Sequence, residues 1–278
     1  MFMSMNLTKH LLRALFFSTF LLPLLSLGCE NEPGSPPATL PGHPAGSEDA
    51  RETTTPTPAP APSDKATETT GKPSPSKKAQ LGPGVWLETE GDRRRVLVEA
   101  RVCLRKGTYG LETLLCRKNT KDYESILSTE ANAQVIHAGL LVARAKPGHP
   151  VQFDPQFQPP TGSRIKVLLQ FEDQGKGKTV PAQEWILNMK TKKPLQEDWV
   201  FAGSVLFPNP DGKDKPPLYA ANLDGAYICV NNVPSAMLDL PIDSPNGLEN
   251  RVFDINTDKV PAVDTKVTII LEPIPEKK

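Results

Sequence analysis

Apolar and polar residues alternate with a period of two through most of this chain beyond residue 95, and that period is what most limits the folds open to it. Val96, Val98, Ala100 and Val102 alternate with Leu97, Glu99, Arg101 and Cys103. Ile165, Val167, Leu169 and Phe171 alternate with Lys166, Leu168 and Gln170, and Val267, Ile269 and Leu271 with Thr268, Ile270 and Glu272. Successive side chains of an extended chain point to opposite faces, so each run predicts a strand with one buried face. The polar stretch 172–179, followed by Trp185, Leu187 and Met189, predicts a β-hairpin over 164–189. Trp199–Phe207 and Leu218–Asn231 predict two more strands, with Asn209-Pro210-Asp211-Gly212 as the turn between them.

Residues 120–145 break this period and predict two short helices. Thr120 can cap the first, which runs through Tyr123 and Ile126, and Ser128 or Thr129 the second, Ala131–Ala145, which Pro147-Gly148 ends. The second is apolar on nearly every side (Val135, Ile136, Ala138, Leu140, Leu141, Val142), and a helix of that kind is buried. The expected fold is a β-rich α+β domain, single, sandwich-like or a bent antiparallel sheet, with an inserted helical hairpin at about 120–145.

The N-terminal part reads differently. Lys9, His10 and Arg13 precede an apolar run, Ala14–Leu27, of signal-peptide length; a bilayer span needs roughly 20 apolar residues. Ser26-Leu27-Gly28-Cys29 follows the pattern of a bacterial lipobox at Gly28 and Cys29, although Ser26 departs from it. The expectation is a lipoprotein-type signal peptide over 1–28 and a lipid anchor on Cys29. Glu30 to Gln80 then holds 11 of the 30 prolines and no aromatic residue. Such a stretch has too little apolar surface to offset the entropy of ordering it, so 29–82 is expected to be a disordered linker. A domain over 84–278 remains. The implied location is exported and membrane-anchored, in the periplasm or at the cell surface.

Lys plus Arg and Asp plus Glu number 32 each. With no net charge and 6% aromatic residues, the chain lacks the basic face and stacking platforms that nucleic acid requires. Beyond Cys29 there are three cysteines. Cys103 and Cys116 flank a hairpin expected to turn at 106–110 and can face each other across it; Cys229 can pair with either, and three reduced thiols are equally allowed. No CxxC is present and no His stands at ligand spacing from a Cys, so no metal site and no cofactor are expected.

Two constellations carry chemistry. Glu124 and Ser125 on the first predicted helix and His137 on the second can approach across the helical hairpin, where a carboxylate would orient an imidazole base in a hydrolytic or metal-assisted enzyme. Cys103 and Cys116 can act as a redox pair. Gly177-Lys178-Thr179 lacks the upstream glycine and following helix of a phosphate loop and is read as a turn.

The chain resembles the YdjY domain family of bacterial exported proteins. The resemblance rests on Cys116-Arg117-Lys118-Asn119-Thr120-Lys121-Asp122-Tyr123-Glu124-Ser125-Ile126-Leu127, on Gln134–Leu141, on Lys146–Pro150, on Trp199–Ser204 and on Asp224–Asn231, and covers 95–273. Relatives often carry His where Tyr123 stands. Some bear a ferredoxin-like label, but an iron–sulfur cluster needs four thiolates and the domain offers three. The resemblance implies a cell-envelope compartment and specifies no activity. The expected function is therefore a non-catalytic binding or structural role at the envelope, with membrane contact through Cys29 and an envelope protein or glycan as partner.

Overall fold

The computed structural model describes residues 76–107, 110–242 and 252–275. The signal segment, Cys29 and the linker as far as Pro75 lie outside the described residues. In chain order the strands and helices are β1 (Lys77–Gly82), β2 (Val85–Glu90), β3 (Arg93–Val102), β4 (Thr113–Arg117), β5 (Ser125–Thr129), α1 (Ala133–Val142), β6 (Arg164–Asp173), β7 (Lys176–Pro181), β8 (Ile186–Asn188), β9 (Trp199–Phe201), β10 (Leu206–Phe207), β11 (Leu218–Tyr219), α2 (Ala220–Asp224), β12 (Ile228–Cys229), β13 (Leu238–Asp239), β14 (Phe253–Ile255) and β15 (Lys266–Pro273). No described helix is long and apolar enough to cross a membrane.

The alternating runs form the centre of the sheet. β15 lies antiparallel between β3 and β6, pairing Ile269 with Val98 on one side and with Leu169 on the other. From β6 the sheet continues through β9, β13, β12, β4 and β5, and β5 pairs back onto β3. Eight strands thus close into a barrel, which removes the free edges that an open sheet must protect. This replaces the expected sandwich or bent sheet. Closure depends on two parallel pairings, β4 with β5 and β12 with β13, that bring together segments with no mutual signal in the sequence. Val96, Val98, Val102, Ile165, Val167, Leu169, Trp199, Phe201, Ile269 and Leu271 are almost wholly buried in one core.

The β6–β7 hairpin is present, and its turn explains its register. Gln174 (φ 50°) and Gly175 (φ 76°) are both left-handed, the two-residue turn whose twist matches the flanking strands. The hairpin ends at Pro181, however. Trp185 closes a 3-10 turn, and Leu187 lies in β8, paired with β14 outside the barrel. The long strands expected over 199–207 and 218–231 are each broken: the first by Gly203 (φ 89°) and Ser204 (φ 58°), the second by α2, which ends on left-handed Gly225 (φ 82°).

The helical hairpin is not formed. Residues 120–124 make a turn, and Ser125-Ile126-Leu127-Ser128-Thr129 is β5, buried between β4 and β3. Ser125–Thr129 holds only two apolar residues, Ile126 and Leu127, so its sequence carries no period of its own, and the pairing on both sides decides for the strand. Within 120–145 the described helix is α1, capped by Asn132, whose side chain accepts from Gln134 N at 2.8 Å, and not by Ser128 or Thr129. Nor is α1 buried all round. Ala133, Ile136, Gly139 and Leu140 face the sheet, while Leu141 and Val142 are 47% and 48% exposed.

β1 occupies residues assigned to the linker, so the fold begins before Gly84. Its own sequence, Lys-Lys-Ala-Gln-Leu-Gly, is too polar to mark a strand; the ladder to β2 orders it, helped by the Lys78 ammonium 4.5 Å from the Trp86 ring centre. β2 and β5 share one side of the long β3: β2 pairs from Arg93 to Val98, and β5 takes over at Arg101.

Where the segment before β6 crosses β9, only glycine fits. Gly162 has φ +134°, and a Cβ there would lie 2.1 Å from the Phe201 carbonyl oxygen. Gly162→Ala is expected to destabilise the domain by about 3 kcal/mol through clash and backbone strain. Gly177→Ala, where a Cβ meets nothing within 4 Å, is the matched control. Urea unfolding of the two variants checks this, and equal midpoints would refute it.

Candidate thiol centre

Three chain segments meet around β5. Just beyond β3, Cys103 N donates to Ile126 O at 2.9 Å, which holds Cys103 on one side of β5. On the other side Cys116 of β4 pairs with Ser128. β5 therefore lies between the two cysteines, where a hairpin turning at 106–110 was expected. Their side chains nevertheless converge. Both sulfur atoms and a carboxylate oxygen of Asp122 lie within 4.8 Å of one another. Asp122 stands in the 120–124 turn, which is closed by Thr120 N donating to Arg117 O at 3.2 Å and Glu124 N to Lys121 O at 3.0 Å. Cys116 is wholly buried, and Cys103 and Asp122 are half-buried, so the cluster opens on their side.

The thiols are free, and their environments differ. Cys116 is held below the ordinary thiol range, chiefly by a hydrogen bond from Cys103, with lesser help from Ser125 and the Lys121 backbone against the cost of burial. Cys103 is pushed up, by that same bond and by burial, with the Cys116 and Asp122 charges adding to it. Cys103 Sγ also lies 3.1 Å from the Ser125 carbonyl oxygen. Cys229 stands apart from this cluster. It is packed with Ala226 and Ala236, and complete burial pushes its thiol well up.

The residues singled out for hydrolysis sort into separate clusters. Glu124 and Glu112 are both buried and share Lys121, whose Nζ bonds Glu112 Oε1 and lies 3.4 Å from Glu124 Oε1. Burial opposes the Lys121 charge, but the hydrogen bond and field of Glu112 and the field of Glu124 outweigh it and raise the ammonium's pKa. Ser125 is fully buried, its hydroxyl donating to Leu127 O at 2.9 Å. His137 engages Tyr219 and Phe201 rather than Glu124. Its Nδ1 is 2.9 Å from the Tyr219 hydroxyl, and its ring meets Phe201 edge-on at 4.7 Å. The Tyr219 hydroxyl donates its proton to Gly203 O at 3.0 Å, so its oxygen accepts from His137 Nδ1–H, leaving Nε2 the lone pair. Burial lowers the His137 pKa, which favours the neutral ring.

The dense polar segment Lys121–Ser125 was legible as special, but its partners were not. Asp122 joins the cysteines and Lys121 joins Glu112, both across strand pairings that no local spacing announces. Tyr123 is 67% exposed.

Neither curated proteins nor solved structures give a match to this chain. The YdjY domain family does, over residues 87–272, about two thirds of the sequence and nearly all of the barrel with α1. The chain belongs to the YdjY domain family.

Proposed function

We propose that this protein is a lipid-anchored, envelope-facing binding protein, held to a membrane through Cys29 and presenting its barrel on a Pro-rich linker. The supporting observation is the outer face of α1. Val135, Ala138 and Val142 line a shallow hollow of about 360 Å³ together with Leu81 of β1. Leu141 extends the same apolar face, and contiguous exposed apolar surface of this kind marks interaction sites. β1 ends the sheet path, with β2 as its one paired neighbour among the described residues. An extended segment of another envelope protein fits this corner best: its backbone can add to β1 while an apolar side chain enters the hollow. Lys77 and Lys78, both exposed, favour acidic residues in that segment. The hydrolytic alternative is weakened because Glu124, Ser125 and His137 are each held in a separate cluster.

A photo-crosslinking residue at Val142, in the full chain expressed in cells, tests this. A discrete protein adduct is expected at Val142 and not at Gly91, in a turn with open space around it. Leu81→Asp should abolish it, and Cys29→Ser should move the protein out of the membrane fraction. No adduct at Val142, or the same adducts at both positions, would refute the binding face; membrane retention of Cys29→Ser would refute the anchor.

A further inference from the structure

We propose that Cys103, Cys116 and Asp122 form a three-ligand site for a thiophilic divalent cation of the zinc class, with a fourth position open towards solvent. The first support is convergence. The two sulfur atoms and the carboxylate oxygen lie within 4.8 Å of one another. In a tetrahedral zinc site, with metal–sulfur bonds near 2.3 Å and metal–oxygen bonds of 2.0–2.2 Å, neighbouring ligand atoms sit roughly 3.5–3.8 Å apart. Small side-chain rotations close that gap.

The second support is the backbone. Cys103 and Cys116 are held on opposite sides of β5, by the bond to Ile126 O and by the pairing with Ser128. With β5 between them, two strand spacings of about 4.8 Å would put their α-carbons roughly 9–10 Å apart on a flat sheet, and a disulfide requires less than about 7 Å. A direct S–S bond would need the ladder to move. A metal ion between the sulfurs lengthens the bridge by just the kind of distance the strand interposes.

The donor set names the ion class. Two thiolates and one carboxylate suit a borderline-soft ion, and magnesium or calcium would require oxygen ligands throughout. Placement supplies the rest. Cys116 forms the buried floor, held in the β4–β5 ladder, while Cys103 and Asp122 are half-buried at the mouth, where an ion can enter and a water or substrate atom can complete its shell. The order Cys-x12-Cys-x5-Asp matches no compact zinc motif, because the ligands come from the end of β3, from β4 and from a turn.

The test uses the purified full-length chain, reduced and stripped of metal, titrated with Co²⁺. One equivalent is expected to produce a thiolate-to-cobalt charge-transfer absorption, and Zn²⁺ should displace it. Cys103→Ser and Cys116→Ser should lose the band, and Asp122→Asn should weaken binding at least about tenfold. Should Cys116→Ser fail to fold by circular dichroism, the half-buried Cys103 and Asp122 variants decide the matter alone. Absence of the band in the reduced native protein would overturn the site. So would a band that survives Cys103→Ser in the folded variant, or a Cys103–Cys116 disulfide that forms quantitatively with Zn²⁺ present.

Discussion

Lys121→Met is expected to cost about 3–5 kcal/mol of stability, the range for removing one partner from a buried ion pair. The Glu112 side chain is 1% exposed, that of Glu124 7% and that of Lys121 17%, so water cannot replace the ammonium between the two carboxylates. The loss would spread beyond the cluster. Glu112 O accepts from Val230 N at 2.9 Å and Asn231 N at 3.3 Å, and Glu112 N donates to Glu124 O at 3.0 Å, so the same residues tie the β12 segment to the turn that carries Asp122. Replacing all three at once (Glu112→Leu, Lys121→Met, Glu124→Leu) should recover most of the loss, because desolvated charges are traded for apolar packing. Urea unfolding at pH 7 measures both variants. A loss below about 1 kcal/mol in the single variant would mean that the cluster is solvated and acts like a surface pair.

Asp239 should give the domain a pH dependence of unusual sign. It is completely buried in β13, and burial pushes its carboxyl up to about 8, against the opposing bonds from Leu240 N, Asn232 Nδ2 and Val233 N. Its ordinary value is 3.8. Above that value the unfolded chain gives up the proton while the folded chain keeps it. The contribution of Asp239 is therefore fully present below about pH 4, is lost as pH rises, by up to about 1.4 kcal/mol per unit, and levels off once the folded group ionises near 8. Ion-paired carboxylates act in the opposite direction, because pairing lowers their pKa. Asp239→Asn removes this slope. Urea midpoints from pH 4.5 to 8.5 are expected to fall in the native protein relative to the variant, and parallel curves would show that Asp239 is ionised throughout.

What the sequence disclosed followed what is local. β3, β6 and β15 were legible because one buried face imposes a period of two, and the β6–β7 turn because 172–179 is a polar, glycine-containing stretch between two alternating runs. β5 was not. Ser125–Thr129 is buried along its whole length, which erases the alternation, and its strand identity comes from neighbours on both sides. Barrel closure was hidden for the same reason, since strands of two or three residues such as β12 and β13 carry no period. The helix showed the reverse error. Leu141 and Val142 are apolar, which predicted burial, yet the domain leaves them uncovered. At the candidate site the cysteines and the Lys121–Ser125 segment could be picked out as residue types, but their grouping required knowing that β5 runs between β3 and β4.

The β1–β2 hairpin gives the domain a mechanical polarity. Lys77 opposes Thr89 at the open end of that hairpin, and the ladder runs from there to Gly82 opposite Val85. A pull on the chain from its N-terminal side therefore peels β1 one residue pair at a time, whereas the strands of the closed ring each hold partners on both sides. The first event under tension is the stripping of β1 with the barrel intact. Leu81 leaves with it, and Leu81 covers Gly139, where an added Cβ would come within 2.8 Å of it. Tension below the unfolding force would thus lay bare more of the inner side of α1, turning load on the N-terminal segment into a change in which surface the domain offers.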